Sequence, residues 1–129
     1  MKFYKREKYL RKMRGFYRDT EIIKVVTGVR RCGKSCLMET VAEEIKEQGI
    51  ADEQIVYLNL DRRPYRSIKT AEALERLINE KSTSSDTTYL FIDEVQNVEG
   101  FEEVLNAFRE EGKHSIFITG SNSYLLSGE

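Results

Sequence analysis

Gly28-Val29-Arg30-Arg31-Cys32-Gly33-Lys34-Ser35 confines this chain more than any other feature. It fits G-x-x-x-x-G-K-[ST] and falls between a β-branched run, Ile22 to Thr27, and a stretch with Leu37, Met38, Val41 and Ile45 on one helical stripe that closes at Gly49. Strand, glycine turn and helix in that order make a loop suited to phosphate. Glycines let the backbone curl so that successive N–H groups face an anion, and the helix N-terminus adds about half a positive charge there. Lys34 would reach the β- and γ-phosphates of a nucleotide, and the Ser35 hydroxyl would ligate Mg²⁺.

The alternation repeats downstream. Ile55 to Leu60 (IVYLNL) is a second strand, and Asp61-Arg62-Arg63-Pro64 is a loop, because Pro64 pushes its predecessor out of helical geometry. Thr70 can cap a helix with Glu72 in its first turn and Ala71, Leu74, Leu77 and Ile78 on its apolar face. After the polar connector Ser82 to Thr87, Tyr89 to Ile92 (YLFI) reads as a strand covered on both faces. Phe101, Val104, Leu105 and Phe108 share one face of a helix that Gly112 ends, and Ser115 to Thr119 (SIFIT) is the fourth strand. This order specifies an α/β fold, a mostly parallel sheet between helical layers joined by right-handed crossovers.

The third strand delivers Asp93 and Glu94 at its C-terminal edge, where open α/β sheets bind their ligands. Beside a phosphate loop, Asp93 is placed for the Mg²⁺ shell and Glu94 to orient and polarise an attacking water. Ser121 or Asn122 could bond the γ-phosphate or that water, and an ordinary Gly-Ser-Asn turn is the alternative. Cys32, at a helix N-terminus two residues from Lys34, sits where thiols are readily oxidised; two small residues, Cys32 and Cys36, fitting a tight turn is the preferred account. His114 has no Cys, His or carboxylate at ligand spacing and is expected on the surface, without a metal.

A length of 129 residues suits one hydrophobic core. The start, MKFYKREKYL, lacks the apolar region of a secretory leader, and no run approaches the ~18 apolar residues of a membrane span. Two cysteines four apart fit a reducing compartment, so a cytoplasmic location is expected. The net charge of -1 hides a basic segment: residues 1 to 18 hold eight Lys or Arg against Glu7 alone. Such a segment attracts nucleic acid through counterion release. The preferred reading is an amphipathic helix that packs Phe3, Tyr9, Leu10 and Met13 on the domain and keeps its basic face wet. The pairs Arg30-Arg31 and Arg62-Arg63 are further candidates for nucleic acid or a neighbouring subunit.

TGVRRCGKS, YLFIDEVQ and IFITGSNSYLLSGE together resemble the AAA+-like bacterial and archaeal ATPase domain found at the front of larger proteins, over about residues 20 to 129. The resemblance implies a P-loop ATPase core at 20–129 behind a basic segment at 1–19, with ATP and Mg²⁺ as cofactors. It assigns the phosphates to the loop of Gly28, Val29, Arg30, Arg31, Cys32, Gly33, Lys34, Ser35 and the adjoining Cys36. Metal falls to Ser35 and Asp93, water to Glu94 and sensing to Asn122, while Gln96 is a family mark without a role. It also implies that the fourth strand lies between the first and third, and that Tyr9, Phe16 or Tyr17 contacts adenine. Such cores continue to a fifth strand, an arginine finger and a lid, which this sequence does not reach. The chain alone is therefore expected to bind ATP–Mg²⁺ weakly and hydrolyse it very slowly, if at all, and a homo-oligomer supplying an arginine finger in trans is a partner that the resemblance allows. A P-loop kinase is the alternative enzyme, but Glu94 after Asp93 favours water as acceptor, and no N/T-K-x-D guanine-reading segment occurs.

Overall fold

The computed structural model describes residues 10–26 and 32–120, with the backbone alone over 32–36. Four strands, β1 (Lys24–Val25), β2 (Ile55–Asn59), β3 (Thr88–Asp93) and β4 (His114–Ile118), form one all-parallel sheet in the order β1-β4-β3-β2. The fourth strand thus lies between the first and third, as the resemblance implies. Three helices accompany it: α1 (Cys32–Glu47), α2 (Ala71–Lys81) and α3 (Phe101–Glu110), with a further helical stretch at 10–14.

Every residue of β3 and β4 is buried, so the sheet is covered on both faces. The side-chain period of two sorts its core. Tyr89, Phe91 and Phe117 point to one layer, where they meet Leu37, Met38, Val41 and Ile45 of α1 and Leu10, Met13 and Tyr17 from the N-terminal segment. Leu90, Ile92, Ile116 and Ile118 point to the other, against Leu74 and Ile78 of α2 and Phe101, Val104, Leu105 and Phe108 of α3. The result is the three-layer α/β sandwich read from the sequence. Thr70 caps α2 by accepting the Ala73 N–H at 3.2 Å. Gly49 and Gly112 follow α1 and α3 with φ of +97° and +74°, a conformation that glycine adopts without a Cβ penalty.

Two expectations are corrected. Among the described residues the first strand forms its ladder over Lys24–Val25 and not from Ile22, since residues 20–22 form a bend in which Asp19 Oδ1 accepts the Glu21 N–H at 2.8 Å; Thr27 lies outside the described residues. His114 is not at the surface: it opens β4, is 4% exposed and meets the Phe108 ring edge-on at 5.0 Å. Pairing with Thr88 inside the sheet and the packing of α3 over β4 bury it.

The N-terminal segment is clamped to the sheet. Arg14 forks onto Glu44 of α1 (Nε–Oε1 2.9 Å, Nη2–Oε2 2.6 Å), and the Tyr17 hydroxyl donates to Glu44 Oε1 at 2.8 Å. Arg14 holds the Glu44 carboxyl below its ordinary pKa. Lys24 Nζ donates to the Asp19 carbonyl and to Ser115 Oγ at 2.9 Å, and Ser115 Oγ donates to the Tyr17 carbonyl at 2.6 Å. Leu10 and Met13 are buried, in agreement with the amphipathic reading; Arg11 and Lys12 are exposed, and Phe3 and Tyr9 lie outside the described residues.

Candidate functional site

Parallel pairing brings three strand ends to one edge. The Val26 N–H, at the exit of β1, donates to Ile118 O at 2.8 Å, and the Thr119 N–H, at the exit of β4, donates to Ile92 O at 3.0 Å. The Val95 N–H, beyond β3, donates back to Thr119 O at 2.9 Å. The chain between Val26 and the start of α1 at Cys32, which includes Gly28, Val29, Arg30 and Arg31, lies outside the described residues. Gly33, Lys34, Ser35 and Cys36 fall in the first turns of α1, so their backbone occupies the helix N-terminus that the motif requires.

Asp93 ends β3 with no exposed surface. Its Oδ1 accepts the hydroxyl proton of Thr119, itself fully buried, and Thr119 Oγ1 accepts the Glu94 N–H at 3.0 Å. One hydroxyl therefore fixes both acids. Glu94 is half-buried and stands at φ +62°, the left-handed region; among the described residues no other non-glycine has positive φ. A bulky residue there costs free energy, and such outliers gather at functional sites. Glu94 Oε1 accepts from Gln96 Nε2 at 2.8 Å, which gives that family-mark glutamine a contact. The next residue, Asn97, donates to Asp61 Oδ1 at 3.0 Å and ties the turn after β3 to the loop after β2.

The donor set suits a hard divalent cation: a buried carboxylate with a hydroxyl beside it, at the C-terminal edge of a parallel sheet. Ser35, the other candidate ligand, is described only as α1 backbone, and Ser121 and Asn122 lie outside the described residues. Thr119 and Gln96 are contacts that sequence reasoning did not assign; a hydroxyl ending the apolar run SIFIT, immediately before glycine, was the available signal for the first.

Of the adenine candidates, Tyr17 is 2% exposed, its ring edge-on to Phe117 at 6.2 Å and its hydroxyl on Glu44. That ring is part of the core. Phe16 is exposed, and Tyr9 lies outside the described residues. No helix among the described residues is long and apolar enough to cross a membrane.

Comparison with known proteins agrees with this geometry. The chain is 46% identical over 125 residues to an uncharacterized protein of Haemophilus influenzae, covering 96% of this chain and 31% of the relative. It is 34% identical over 119 residues to the uncharacterized protein MJ1544 of Methanocaldococcus jannaschii, covering 87% of this chain and 25% of that protein. The chain thus spans less than a third of the length of these curated relatives. No solved structure matches it significantly. Residues 20–129 match the AAA domain family, and the chain belongs to that family.

Proposed function

We propose that this domain binds ATP with Mg²⁺ and hydrolyses it. The observation that carries the reading is the convergence at one sheet edge: β1 leads toward the G-x-x-x-x-G-K-S loop, and β4 and β3 beside it supply Thr119, Asp93 and Glu94 locked together. The loop Gly28 to Ser35, with Cys36 behind it, surrounds the phosphates, and Lys34 neutralises the β- and γ-oxygens. Ser35 and Asp93 would hold Mg²⁺, which when bound would draw charge off the phosphates. Glu94 orients the attacking water and takes its proton on the carboxylate, whose direction the Gln96 amide fixes. Asn122 senses the γ-phosphate.

Titration calorimetry with ATP–Mg²⁺ and a phosphate-release assay test this reading. Lys34→Ala should weaken ATP affinity by about tenfold or more, a loss on the scale of one charge-assisted contact. Glu94→Gln should keep affinity and lower turnover by about 10²-fold, the typical contribution of a positioned base. Equal ATP affinity for the parent protein and Lys34→Ala sinks the site. A phosphorylated acceptor in place of free phosphate moves the protein to the kinases.

A further inference from the structure

The loop after β2 and the edge of β2 carry features that nucleotide chemistry does not use. A cavity of about 260 Å³ is lined by Ile55, Val56, Tyr57 and Leu58 in succession. Neighbouring residues of a strand send their side chains to opposite faces, so a hollow touched by four in a row runs along the strand's edge and not over either face. Tyr65, Lys81, Thr83 and Glu53 complete its lining, and Lys81 Nζ stands 5.9 Å from the Tyr65 ring centroid. A second cavity of about 490 Å³ shares Tyr57 and Tyr65 with the first and continues past Asn59, at the end of β2, to Arg62, Arg63 and Glu39. The two make one groove along the outer side of the sheet.

β2 pairs with β3 on one side, and no strand among the described residues lies on its other side. Its sequence, IVYLN, has high strand propensity, no proline or lysine and an unbroken register without a bulge, although the Asn59 carbonyl is taken by the Arg62 N–H at 3.0 Å. The groove is cationic toward the C-terminal end of β2. Arg62 and Arg63 line it there against the single acid Glu39, Arg66 and Lys69 are exposed in the same loop, and Asp61 is engaged by Asn97.

The geometry points to a docking groove for an extended acidic segment of another polypeptide, which adds to β2 as a further strand with its carboxylates toward Arg62, Arg63 and Lys81. Main-chain hydrogen bonds along the edge supply affinity, and the cations supply selection. The inference does not depend on nucleotide binding. Single-stranded nucleic acid is drawn by the same arginines but has no row of amides to match a strand edge, so the two occupants can be told apart.

The probe is a fluorescein-labelled octapeptide of alternating Glu and Val, titrated into the full protein by fluorescence anisotropy. Binding should be saturable and should slow amide exchange over residues 55–59. N-methylating every second amide of the peptide should abolish binding in one phase and spare it in the other, because only one set faces the edge. Reversing the exposed arginines (Arg62→Glu with Arg63→Glu) should weaken binding by about tenfold or more, with the circular dichroism of the protein unchanged. No saturable binding up to millimolar peptide overturns the inference, as does equal binding of both N-methylated forms, unchanged binding by the double variant, or displacement of the peptide by oligo-dT at lower concentration than by unlabelled peptide.

Discussion

Lys24 gives the stability of this domain a pH dependence whose sign and size follow from its surroundings. It is 5% exposed, its Nζ donates to the Asp19 carbonyl and to Ser115 Oγ, and it stands 4.7 Å from the Phe117 ring centroid. Burial pushes its pKa from 10.5 down to about 8, with Asp19 pulling weakly the other way. Between those two values the folded protein holds a neutral amine while the unfolded chain still holds the proton. The unfolded state then binds more protons, so stability rises with pH through this interval, by up to about 3 kcal/mol for the whole shift. Tyr17 closes the window from above. Burial and the hydrogen bond to Glu44 raise its phenol pKa, so above about pH 10 the unfolded chain loses a proton that the folded one keeps, and stability falls.

The usable range is therefore about pH 8 to 9.5, where the lysine contributes a rise of about 1–2 kcal/mol, or roughly 3–8 °C in melting temperature for a domain of this size. Urea unfolding at several pH values, with constant m, reads it directly. Lys24→Met keeps the apolar stem and removes the charge. It should flatten the curve, and at neutral pH it should be at least as stable as the parent, since Ser115 retains its bond to the Tyr17 carbonyl and Asp19 is only partly buried. A parent curve that is flat or falls across this range, or a Met variant with the parent's slope, refutes the reasoning.

Three further outcomes are expected. Burial lowers the His114 pKa below its ordinary 6.5, so the unfolded chain takes up the proton first and stability is lost as pH falls through about 6.5; a His114→Phe variant should lose that limb of the pH–stability curve. Thr119→Val removes the hydroxyl shared by Asp93 and the Glu94 N–H and should cost about 1–3 kcal/mol in thermal or urea unfolding, most of it restored in Thr119→Ser. Glu94→Gly should abolish phosphate release yet raise the melting temperature, because glycine takes φ +62° without the roughly 1 kcal/mol penalty of a side chain there; a lowered melting temperature would show that the turn is not strained.

The layers were legible because they depend on period alone. Leu90 and Ile92 on one side and Tyr89 and Phe91 on the other are a direct consequence of alternation, and Phe101, Val104, Leu105 and Phe108 of helical spacing. Burial of polar residues was not legible. Lys24 inside IIKVVT and His114 at the head of SIFIT look like surface groups until the sheet is assembled, when the N-terminal segment covers one and α3 the other. The strand order came from resemblance, since nothing in the spacing of the four runs ranks them across the sheet. Thr119 meets Asp93 across 26 positions of sequence and Gln96 folds back on Glu94, contacts that exist only once parallel register and the turn after β3 are set.

In the proposed reaction, that turn is what would divide the labour between the two acids. Along a regular strand Asp93 and Glu94 would point to opposite faces, and one of them would enter the apolar layer under α2 and α3. To leave β3 with the Val95 N–H on Thr119 O, the chain must reverse its twist at one residue, and Glu94 does so at φ +62°. Asp93 stays fully buried against the Thr119 hydroxyl, while the Glu94 side chain comes out half-exposed at the same edge, within reach of the Gln96 amide. A carboxylate shielded from water is placed to hold a cation, and one that water can reach is placed to handle a proton. The backbone strain at a single position separates the settings of the two carboxylates on which the proposed roles rest, and Thr119, bonded to both residues, holds the strained turn in place.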